Sequence, residues 1–163
     1  MNSISKTKGV ARYMIMDVAV VTAACLIPTM SHLTALPLYR LNPMLALLLV
    51  GMLLGKDWRN ALVLAVLMPA VSCLIVGMPS APKMVCMVAE LATVAGLFYV
   101  LNRRWAVLPS VLLAVLAAKV VYYALKAVVL APDVLIGTAW WMQLGVVVLW
   151  GGLFAVLYRK VVK

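Results

Sequence analysis

The chain has 163 residues, 67% of them apolar and 11% charged, and a mean hydropathy of +1.16. Soluble domains carry about 25% charged residues, so this composition excludes one and places the chain in lipid. The formal charge of +10 would suit nucleic acid, but its placement argues otherwise. Ten of the fourteen Lys and Arg residues lie in the N-terminal tail (Lys6, Lys8, Arg12), at two alternate joints between apolar runs (Lys56 and Arg59, Arg103 and Arg104) and in the C-terminal tail (Arg159, Lys160, Lys163). By the positive-inside rule these regions are cytoplasmic. The prediction is an all-α polytopic membrane protein of six transmembrane helices, with both termini in the cytoplasm. At roughly 20 apolar residues per crossing of a bilayer core about 30 Å thick, the six helices use nearly the whole length as one membrane domain, 1–163.

In chain order, the first helix is expected over 13–30, with Asp17 near its cytoplasmic start and Pro28 near its outer end. The outer segment SHLTALPLYRLN follows, and Pro43 is placed to open the second helix, where its missing N–H costs nothing. That helix, 43–55, is only about 20 Å long at 1.5 Å per residue, so it is either short or borrows from the preceding leucines. The third, 60–76, carries Pro69 at mid-depth, where a kink is expected, and stops at the Gly/Pro-rich GMPSAP turn. The fourth spans 83–101, the fifth 105–130 and the sixth 134–158. Cys25, Cys73 and Cys86 all lie in apolar runs without the paired spacing of a metal site or disulfide framework, and read as small packing residues.

Glu90 is the most informative residue, because a carboxylate within a transmembrane helix is costly unless it is paired or lines a wet cavity. Lys83 seven positions earlier and Thr93 three later share its helix face. On the fifth helix Lys119, Tyr122, Tyr123 and Lys126 follow i, i+3, i+4, i+7 spacing and form a polar stripe. Lys126 and the tyrosines also suit interfacial anchors, as do Trp140 and Trp141. Gln143, one turn deeper, needs a hydrogen-bond partner. With Tyr39, Arg40 and Asn42 from the outer segment, these groups agree in depth. They predict a pocket open to the outside for a small polar organic molecule, lined by Tyr39, Arg40, Asn42, Lys83, Glu90, Lys119, Tyr122, Tyr123, Trp141 and Gln143. The bland alternative is that Glu90 and a lysine hold two helices together. No phosphate-binding glycine loop, metal cluster or activated nucleophile is visible. The chain therefore reads as no enzyme, and no cofactor is expected.

Three elements carry a family resemblance: the outer LPLYRLNPM followed by an apolar helix ending in LLGK, the IVGMPSAP turn, and ELATVAG on the next helix. They resemble the substrate-binding S components of energy-coupling factor transporters, the bacterial micronutrient importers, over most of the chain and most strongly from Ser31 to Gly96. The resemblance implies a binding subunit in the bacterial cell membrane. Such a subunit captures a vitamin or precursor from outside, then tilts to deliver it when docked on a membrane-embedded coupling subunit with two ATPases. It also implies that an AxxxA pair on the first helix, Ala19 and Ala23 here, packs against the coupling subunit; close approach of helices in lipid favours small residues. The ligand is left as an anionic, pantothenate-like acid or a pyrimidine- or purine-like ring. Two other classes remain: a membrane scaffold or assembly protein, and a self-sufficient small transporter or channel.

Overall fold

The computed structural model describes residues 3–34, 41–55, 57–129 and 140–162. Among them every regular element is helical: α1 (Ser3–Thr34), α2 (Pro43–Gly55), α3 (Trp58–Val76), α4 (Ala81–Leu101), α5 (Val107–Val129) and α6 (Trp140–Val162). Five of the six have stretches long and apolar enough to cross a membrane, and α2 is the shorter apolar exception. The protein is a multi-pass helical membrane bundle.

Local chemistry sets the joints. Asn42 sits at φ 48°, a left-handed conformation that Asn tolerates better than most side chains. Pro43 then starts α2, whose first N–H groups, those of Leu45 and Ala46, both bond to the Asn42 carbonyl. The Asp57 carboxylate accepts from the Arg59 N–H and caps α3. Gly77 ends that helix at φ 72° and donates its N–H to the Cys73 carbonyl, the positive φ that favours glycine at a helix terminus. Ser72 donates to the Met78 carbonyl at 2.7 Å and closes the turn from inside. At the opposite end α4 runs into α5 through a tight joint in which Arg104 and Trp105 both donate to the Leu101 carbonyl. Hydroxyls within the helices fold back on their own backbone: Thr22 to Val18, Thr93 to Ala89 and Ser110 to Ala106. Each thereby satisfies itself where no water competes.

Around the bundle the packing order is α1, α3, α4, α5, α6, α2 and back to α1, with α2 also touching α3 and α4. The short helix is thus the most enclosed, and eight of its thirteen residues are buried. Glycines let it approach α3: a Cβ at Gly51 would lie 2.5 Å from Leu64 Cδ1, and one at Gly55 would lie 2.8 Å from Asn60 Nδ2. The core is apolar. It joins Leu45, Leu48, Leu49 and Met52 of α2 to Leu64 and Met68 of α3, Val94 and Phe98 of α4, Val111 and Val115 of α5, and Phe154 of α6. Large exposed apolar side chains such as Leu74 (84%) and Val128 (84%) cover the outside, as the lipid-facing surface of a bundle requires.

The helix bounds depart from the sequence reading most at the start of α1. Helix α1 begins at Ser3 rather than near Tyr13, because nothing in SISKTKGVAR forces a break and its polar residues tolerate helix outside the apolar span. Both α1 and α3 run through their prolines, Pro28 and Pro69, without interruption. Helix α6 is described from Trp140 to Val162, while residues 134–139 of the predicted sixth helix lie outside the described residues.

Candidate functional site

Glu90 is 4% exposed and its Oε1 is the centre of a polar knot. Lys119 Nζ of α5 lies 2.7 Å away, and Asn42 Nδ2 at the start of α2 donates to the same oxygen at 3.2 Å. Tyr122 packs its ring against the ammonium of Lys119, 5.5 Å from centroid to nitrogen, and stands edge-on to Tyr123 at 5.5 Å. Residues from α4, α5 and the start of α2 thus meet at one buried carboxylate.

The depth of this knot follows from helix geometry. Glu90 is nine residues into α4, about 14 Å along its axis, and Lys119 is ten residues from the end of α5, about 15 Å. Trp150, ten residues into α6, donates its indole N–H to the Leu41 carbonyl at 2.8 Å. The start of α2 is therefore fastened to α4 through Asn42 and to α6 through Leu41, near mid-length of both partner helices. Its thirteen residues, about 20 Å, run only from there to the basic end. The described α2 is short and begins at Pro43, directly after the left-handed Asn42; Leu36 and Leu38 lie outside the described residues.

A second polar contact secures the basic end, where Asn60 of α3 donates to Asp17 Oδ1 of α1 at 2.8 Å. Between the two contacts the described core is apolar. Helix α2 is held by polar contacts above and by the close Gly55–Asn60 approach below.

The structure brings Asn42, Glu90, Lys119 and Tyr122 together, with Tyr123 edge-on to Tyr122. Lys83 is exposed at the far end of α4. Gln143 has a buried Oε1 with no hydrogen-bond partner among the described residues. Trp141 is 69% exposed, an interfacial position. Thr93 spends its hydroxyl on Ala89, not on the knot. Tyr39 and Arg40 lie outside the described residues. The sequence reading missed Trp150, whose bond spans 109 positions; a tryptophan ten residues inside an apolar helix was the available signal. Among the described residues no group of three or more His, Cys, Asp or Glu is placed to hold a metal, and the cysteines are free. Comparison with protein-family models, curated proteins and solved structures gives no match.

Asn42 is the joint between backbone and knot, since its unusual φ and its side-chain bond to Glu90 both depend on the residue type. Asn42→Ala is expected to lower stability by about 1 to 3 kcal/mol, the cost of a lost bond to a charged group plus a strained backbone. Asn42→Gly should recover the backbone part. Thermal unfolding in detergent separates the two, and equal melting temperatures for both variants would show that the backbone conformation contributes nothing.

Proposed function

We propose that this chain is the substrate-binding subunit of an energy-coupling factor type importer, working in a bacterial cell membrane with both termini cytoplasmic. It captures a small vitamin-like molecule from the end opposite the basic joints. A coupling subunit and two ATPases complete the machine, and this chain itself is no enzyme. The observation that carries the proposal is the mid-depth knot: a buried carboxylate, a lysine, an asparagine and two tyrosines gathered from three helices in an otherwise apolar bundle. Toward the far end of α6, Gln143 Oε1 is a buried acceptor with no donor among the described residues, the kind of group that ligand or water satisfies. The apolar packing between the knot and the basic end favours a one-sided site that must be emptied by a movement of the whole subunit, over a continuous polar path through a self-sufficient channel.

Helix α1 suits the partner surface. Of its described side chains only Val20 and Ala24 are buried, while Ile15, Val18, Ala19, Thr22 and Leu26 form an exposed stripe, with Ala23 half-buried beside it. The small side chains permit a neighbouring helix to come close, and Thr22, already bonded to Val18, brings no unmet polarity.

A scaffold or assembly role is favoured by one fact: the Glu90–Lys119 bridge is closed at 2.7 Å by the protein alone. Mass spectrometry of the protein purified from its native membrane decides between the two. The expected result is one retained micronutrient-sized molecule. Ala19→Trp should keep that molecule while abolishing uptake and co-purification of a membrane-embedded partner. A preparation that carries no small molecule and supports no uptake would move the protein to the scaffold class.

A further inference from the structure

Seven residues beyond each partner of the buried bridge stands another lysine: Lys83 before Glu90 on α4, and Lys126 after Lys119 on α5. Because α4 and α5 are neighbours joined by a tight turn, they run antiparallel, and both steps lead toward the far end. Two helical turns, about 10 Å, above Glu90 and Lys119 the second pair is therefore expected face to face. Cys86, buried on α4, lies between the two levels. The chain has four acids. Asp17 and Asp57 are engaged at the basic end, Glu90 is taken by Lys119, and Asp133 lies outside the described residues. Among the described residues, then, helix register sets two lysines at one level with no acid paired to them, two turns above a bridge that is already neutral.

That distribution separates the roles of the charges. Lys119 is matched by Glu90 at 2.7 Å, so an incoming anion gains little from it and is repelled by the carboxylate. Lys83 and Lys126 repel each other, and an anion between them relieves the repulsion. We infer that Lys83 and Lys126 clamp the carboxylate or phosphate of the ligand, while Glu90 receives an N–H or O–H donor at its other end. The substrate class is thus a small elongated acid with a polar donor about 10 Å from its anionic group, the rise of two helical turns. The rings of Tyr122 and Tyr123 lie along the distance between the poles. The identity of the anion as substrate rests on the importer reading; the clamp itself does not.

Inorganic phosphate is the probe. The protein is placed in nanodiscs of neutral phosphatidylcholine, and its melting temperature is followed as phosphate replaces chloride at constant ionic strength. Phosphate should stabilise the parent, and Lys83→Met or Lys126→Met should each weaken its apparent affinity about tenfold or more, as the loss of one charge-assisted bond implies. Lys83→Glu gives a variant that needs no added anion: it should melt higher than the parent without phosphate, by pairing with Lys126, and lose the phosphate response. Equal phosphate responses in parent and variants overturn the clamp. So does stabilisation by phosphatidylglycerol in the disc with none by free phosphate, which makes the lysines a lipid headgroup site. An intact, lysine-dependent phosphate response in a protein that supports no uptake leaves the clamp standing and removes the importer.

Discussion

Lys119→Met is expected to lower the stability of the bundle by about 3 to 5 kcal/mol, the cost of leaving a buried charge without its partner. Adding Glu90→Gln should restore most of it. The asymmetry follows from where the two groups sit. Glu90 is short and 4% exposed, so once Lys119 is gone its charge has, among the described residues, only the Asn42 amide for support. Lys119 has a long apolar stem and can carry its ammonium toward the interface when the acid is removed. Glu90→Gln alone should therefore cost much less than Lys119→Met alone. Thermal unfolding of the two single variants and the double variant in one membrane mimic gives the coupling energy directly. A double variant no more stable than Lys119→Met would mean that Lys119 is not there to neutralise Glu90. Ligand binding reports a different quantity on the same proteins. Losing a charged, buried hydrogen bond to ligand commonly costs about 2 to 5 kcal/mol, or roughly 30-fold to several thousand-fold in affinity, and the double variant should suffer it even though its fold is repaired. If the repaired protein binds the retained molecule as tightly as the parent, the bridge is purely structural and the importer reading loses its main support.

The bundle was legible because apolar runs and basic joints are local signals, and six runs in one chain leave little freedom. The bounds of α2 could be read from Asn42-Pro43 at one side and Gly55 at the other. The first turns of α1 could not, since basic residues look alike in a tail and in a helix that extends past the lipid. At the site, the stripe Lys119, Tyr122, Tyr123, Lys126 was visible from helical spacing, and Glu90 from its cost in lipid. What spacing could not reveal is which stripe faces which carboxylate. The Asn42–Glu90 bond joins positions 48 apart, and the start of α2 acquires its depth only from the bonds that Glu90 and Trp150 make to it. That depth is a property of packing.

Phe98→Ala should be the most damaging apolar truncation. Phe98 is fully buried and meets three rings edge-on: Tyr99 at 5.4 Å, Phe154 at 5.1 Å and Tyr158 at 5.6 Å. It ties α4 to α6 across the interior near the basic end. The expected loss is about 3 kcal/mol, the low end of the range for Phe→Ala in buried sites, because inside lipid the contribution is packing and ring contact more than escape from water. Leu74→Ala, on a residue 84% exposed, should change stability by no more than about 0.5 kcal/mol. Melting temperatures of the two variants side by side test the assignment of inside and outside. Comparable losses would mean that α3 turns the face bearing Leu74 toward protein.

The Glu90–Lys119 bridge also bears on how the chain enters the bilayer. Each residue, inserted on its own, would burden its helix with a charge at mid-depth, an expense of about 2.5 to 3.5 kcal/mol for a charged residue at the centre of a lone helix. The two helices are consecutive, however, and the joint between them is only a few residues long, so the bridge lies within a single hairpin. Once α5 follows α4 out of the translocation machinery, acid and base can meet before any other helix has docked. The hairpin then reaches the lipid as a neutral unit, ready to receive α2 through Asn42, and a translocon would need to shelter Glu90 only for the time that one further helix takes to emerge.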